Sequence, residues 1–139
     1  MEISSVRRRL NETVERAKRR ASERRVRTDA AGIAFGRFLE NTAIPLFRQI
    51  VNVLRADGYP FTVITPSGSV RLTSDRRAED FVEVTLDASG DVPHLMLHAS
   101  RSWGGGVIES EKAIGDPETL TEDDLLTAVL SELERLVER

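Results

Sequence analysis

The chain contains no cysteine, which excludes disulfides, thiolate nucleophiles and thiolate metal sites. It also lacks any apolar run near the roughly 20 residues of a membrane-spanning helix. Its first residues, "MEISSVRRRL", lack the apolar stretch of a secretion signal. No membrane association and a cytoplasmic location are therefore expected. Asn11-Glu12-Thr13 matches a glycosylation sequon, but without an export signal it is read as chance. No G-x-G-x-x-G stretch, Walker-type lysine pattern or nucleophile elbow occurs, so neither a phosphate cradle nor an enzyme is expected. No cofactor is implied.

What is present is a globular composition with an uneven charge. The 139 residues are 40% hydrophobic and 31% charged, enough for one domain with a real core. The net charge of −3 hides an asymmetry. Residues 1–28 hold ten Arg or Lys and four Glu, a charge of +6. Residues 29–139 hold ten basic and nineteen acidic residues, a charge of −9. The chain reads as a basic helical arm (1–28) on a single acidic domain (29–139).

The arm, rich in Arg, Glu and Ala with no Gly or Pro from 3 to 27, predicts a helix. Ile3, Val6, Leu10, Val14, Ala17 and Ala21 follow spacings of three and four. They form a stripe that is narrow and tapers to alanine. Thr28-Asp29 offers a break or a new N-cap. A second, core helix follows, with Phe35, Phe38, Leu39, Thr42, Leu46, Phe47, Ile50, Val53 and Leu54 on its apolar face. Pro45 predicts a kink or break near 41–44, and Asp57-Gly58 an end.

The period then changes from three-and-four to two. "FTVIT", "SVRLT", "DFVEVTLD", "HLMLHAS" and "GVIESEK" are β-branched or alternating and are separated by short turns, which predicts an antiparallel meander of four or five strands. Val82, Val84 and Leu86 are expected to face inward with Leu95, Leu97 and Ala99; Glu83, Thr85 and Asp87 are expected to face outward. Thr121 and Asp124 form a capping box for a last helix with Leu126, Val129, Leu130, Leu133 and Val137 as its buried stripe. The fold class is α+β: a long N-terminal helix, a second helix kinked at its proline, the meander and a C-terminal helix, with the helices on one sheet face.

The candidate partner-binding residues are Arg8, Arg9, Arg16, Arg19, Arg20, Arg24 and Trp103. Clustered arginines suit phosphate contacts, yet Glu12, Glu15 and Glu23 each stand four residues before an Arg, the spacing of intrahelical pairs. No aromatic side chain is interleaved to stack bases. A solvated helix, or one docked on an acidic protein surface, is the favoured reading. His94 and His98 sit four apart on a strand, about 13 Å, too far for one metal. Trp103 before three glycines is either an exposed binding anchor or a cap on the core edge. The whole is read as a small interaction or assembly protein that self-associates, as a homodimer, through its N-terminal helices. The alternatives are a nucleic-acid-binding accessory factor using the Arg surface, and a small-ligand or peptide module using the outer sheet face or the Trp103 loop.

Overall fold

A computed structural model describes residues 1–138. Helix α1 spans Ile3–Phe38 and passes through a π-helical turn at Leu39–Ala43 into α2, Ile44–Ala56. Strands β1 (Phe61–Ile64), β2 (Val70–Ser74), β3 (Phe81–Asp87), β4 (His94–Trp103) and β5 (Gly106–Gly115) follow, then α3, Glu122–Val137. The expected α+β architecture is present, with the strands in sequential antiparallel order β1-β2-β3-β4-β5.

The break expected at Thr28-Asp29 does not occur; α1 runs through it. Nothing there removes a backbone donor, and Gly32 and Gly36 each cost only about 1 kcal/mol in a helix. Burial of Ala31, Phe35 and Phe38 around those glycines offsets that cost. The interruption falls instead beside Pro45, in the first turn of α2. Proline has no N–H to donate to the preceding turn. The chain widens there, and Ile44 N–H bonds to the Leu39 carbonyl, five residues back.

The strand register builds one apolar face. Val63, Leu72, Val82 and Ala99 lie opposite one another across four strands, and Val70, Val84 and Leu97 make a parallel row. Against this face pack Leu46, Phe47 and Ile50 of α2 and Leu125, Val129 and Leu133 of α3, in one contiguous core. The capping box of α3 is formed, with Thr121 Oγ1 accepting from Asp124 N–H at 3.1 Å and Asp124 Oδ2 accepting from Thr121 N–H at 3.2 Å.

Two of the predicted stripes are wider than the core that covers them. Leu130 was expected to be buried and is 51% exposed; Val53 of α2 is 63% exposed. Leu125, outside the expected stripe, is fully buried in its place. The helix is rotated so that Leu125 and Val129 point into the sheet, which leaves Leu126, Leu130 and Val137 along its edge.

The opposite sheet face is polar but not bare. Arg71 pairs with Glu83, the Arg71 guanidinium lies 3.9 Å above the Phe81 ring, and His98 meets that ring edge-on with centroids 5.3 Å apart. Glu83 does point outward as its alternation predicts, yet these neighbours bury it.

Candidate interaction surfaces

The arm is a consequence of helix length. The 36 residues of α1 extend about 54 Å, while its buried residues begin only at Ala31. Among the described residues, its side-chain hydrogen bonds to the rest of the chain are made by Arg24, whose Nε donates to Asp91 Oδ1 at 3.1 Å, and Arg27, whose Nε donates to the Asp91 carbonyl at 3.1 Å. Before Arg24 the helix projects. Ile3, Val6, Leu10 and Val14 are all exposed, Leu10 by 58%.

At 3.6 residues per turn, this exposed stripe lies on the side of α1 that further along buries Ala31 and Phe35. The apolar face continues past the point where the body stops covering it. Arg7, Lys18 and Arg25 flank the stripe on one side, and Arg9, Arg16 and Arg20 on the other. Glu12, Glu15 and Glu23 lie on the far side of the helix, together with Arg8 and Arg19.

The six candidate arginines therefore fall into three groups. Arg9, Arg16 and Arg20 edge the apolar stripe; Arg8 and Arg19 face away from it; Arg24 is engaged by Asp91. Trp103 is remote from all of them in the chain, at the tip of the β4–β5 hairpin. It is 62% exposed, so its ring does not cap the core. The hairpin closes through Gly104 and Gly105, with φ of 58° and 85°, the left-handed pair that a two-residue turn requires. The Arg101 guanidinium lies 5.2 Å from the Trp103 ring centroid.

The expected Glu-to-Arg pairs along the arm are not formed. Among the described residues the one ion pair formed within the arm is Lys18 with Glu15, at 3.8 Å. Arg16 donates instead to Thr13 Oγ1 at 3.2 Å, and Thr13 in turn donates to the Arg9 carbonyl at 2.8 Å. Such pairs are worth only about 0.2–0.5 kcal/mol on an open helix, which competing acceptors and side-chain entropy easily match. The arm's positive charge is thus largely uncompensated within the chain.

His94 and His98 share the outer sheet face but answer to separate carboxylates, Asp87 at 3.6 Å and Glu109 at 3.8 Å.

A second apolar surface lies between α2 and α3. The leftover edges of both helices enclose an open groove of about 460 Å³, lined by residues that include Gln49, Val53, Leu126, Leu130, Glu134 and Val137. Among the described residues its lining contains no Arg or Lys.

The molecule is thus an antiparallel five-stranded α+β domain with one covered sheet face and a projecting basic helix. No described helix is long and apolar enough to cross a membrane. Comparison with family models, curated proteins and solved structures finds no match for this chain.

Proposed function

We propose that this is an assembly protein that self-associates, with the projecting part of α1 as the association element. The observation that carries this reading is the exposed row Ile3, Val6, Leu10 and Val14, which continues a helix face buried elsewhere in the same molecule. Four large apolar side chains in a row on a helix surrounded by water lose the free energy that burial would supply, up to roughly 1.5–3 kcal/mol each. A helix of ordinary surface composition carries polar residues there.

The same row speaks against a purely electrostatic, nucleic-acid role. Phosphate contacts need cations, not an apolar stripe. The test is light scattering coupled to size exclusion at micromolar concentration. The full chain is expected to run above its monomer mass of 15.5 kDa, and a chain lacking residues 1–20 to run as a monomer. A monomeric full chain, or an unchanged mass after truncation, would refute the reading. DNA and RNA retention by the full chain in a low-salt gel shift would favour the nucleic-acid alternative instead.

A further inference from the structure

We infer that the surface receiving the arm is the α2–α3 groove of a second copy of this chain. The inference rests on the association reading above and names the acceptor that it leaves open.

Three features of the groove match the arm. The first is length. Leu126, Leu130, Leu133 and Val137 span 11 positions of α3, and Ile3 to Val14 span 11 positions of α1, so each apolar row is about 16 Å long. The second is spacing, since both rows advance by threes and fours and so present straight edges that can lie side by side. The third is charge. The arm's stripe is edged on both sides by Arg7, Arg9, Arg16, Lys18 and Arg20, with Glu12, Glu15 and Glu23 turned away. The groove has Glu134 at its wall and no cation among its described lining residues. Helix α3 as a whole carries five acidic residues and one Arg.

Two other occupants fit less well. Pairing of two arms along their stripes would set one basic margin against another, each arm being +6, and like charges at that range repel. The chain's own arm is held away, because α1 is unbroken from Ile3 to Phe38 and leaves the body at Asp91. It cannot turn back to the far side of α2. A second copy has neither restriction. Docked there, the arm becomes the third helix of a packed layer and covers Val53 and Leu130, whose stripes the chain itself leaves open.

The experiment has two parts. Leu130→Lys and Val53→Lys replace exposed side chains, so the fold is expected to survive, checked by circular dichroism. Each is expected to weaken association by about tenfold or more in sedimentation equilibrium, and Leu10→Glu in the arm is expected to do the same. Independently, the absence of cysteine allows single-thiol mapping under mild oxidation. A mixture of Leu10→Cys and Val53→Cys chains is expected to give the mixed disulfide much faster than either variant alone gives its own. If Leu10→Cys instead links to itself fastest and the groove variants retain wild-type mass, arms pair with arms. The groove inference is then overturned while association through the arm stands. If the wild-type chain is monomeric throughout, both fall together.

Discussion

Arg24 Nε donates a 3.1 Å hydrogen bond to Asp91 Oδ1, joining residues 67 positions apart, and it marks where α1 parts from the body. Everything before it lacks a buried residue; everything after belongs to the packed domain. Both side chains are more than half exposed, so the pair itself adds only about 0–1 kcal/mol. Removing residues 1–20 is therefore expected to leave the body folded. If the arm associates, the thermal midpoint of the full chain rises with protein concentration, because a partner that binds only the folded state stabilises it by mass action. The midpoint of the truncated chain is expected to stay constant. Scanning calorimetry over a hundredfold concentration range reads both.

Salt distinguishes the charged margins of the arm from its apolar stripe. The margins' arginines are exposed, and the Debye length shrinks from about 10 Å at 0.1 M to about 3 Å at 1 M. Association is expected to weaken over that range without vanishing, since apolar burial is not screened. Complete loss at high salt would mean that charge alone holds the copies together.

Gly115 closes the β4–β5 ladder beside the register shift at Leu95/Met96. Its φ is +146°, and a Cβ there would stand 2.9 Å from Leu120 Cδ1. Leu120 packs against the core just before the α3 cap. Gly115→Val is expected to destabilise by roughly 1–3 kcal/mol through overpacking and backbone strain, read by urea denaturation. The same substitution at Gly90, which has open space around it and an ordinary φ, is expected to cost much less.

What could be read from the residues alone was whatever is local. The Thr121/Asp124 box, the alternation of Val82, Val84 and Leu86, and the proline-linked irregularity near 41–44 each depend on neighbours within a few positions. The depth of burial does not. Val53 and Leu130 belong to apolar stripes by spacing, yet their exposure depends on how far each helix is rotated against the sheet. The groove they form was accordingly invisible. Thr28-Asp29 misled for a related reason: a good N-cap residue starts a helix only where the preceding chain has stopped being one. The cross-strand contact of Arg71, Phe81, Glu83 and His98 needed the register of three strands at once.

Acid is expected to destabilise the fold through two carboxylates. The Asp75 carboxyl is held below its ordinary value mainly by the Thr62 hydroxyl, which donates at 2.6 Å, and also by Arg55 at 2.6 Å. The Asp87 carboxyl is lowered by the Ser89 hydroxyl and backbone N–H, at 2.5 and 2.9 Å, with His94 adding to it. For a group whose folded value is depressed, the unfolded chain binds its proton first. The stabilisation is therefore complete above the unfolded value, near 3.9, and lost as pH falls through the folded one. Urea midpoints should hold above about pH 5 and decline towards pH 3. Thr62→Val is expected to flatten part of that decline, because it removes the largest cause of the Asp75 shift.

Arg71 and Glu83 give the sharpest test of the outer sheet face. Glu83 is buried although it points away from the core, and its carboxylate is neutralised by the Arg71 guanidinium that also covers Phe81. Arg71→Met keeps most of the volume over the ring but strands the carboxylate. Leaving a buried charged acceptor without its partner costs about 1–3 kcal/mol or more. Glu83→Gln in the same background replaces that charge with a neutral amide and is expected to recover a substantial part of the loss. A double-mutant cycle by urea denaturation measures the coupling. If Arg71→Met alone is neutral, the pair is a solvated surface contact, and Phe81 with His98 is what closes this face.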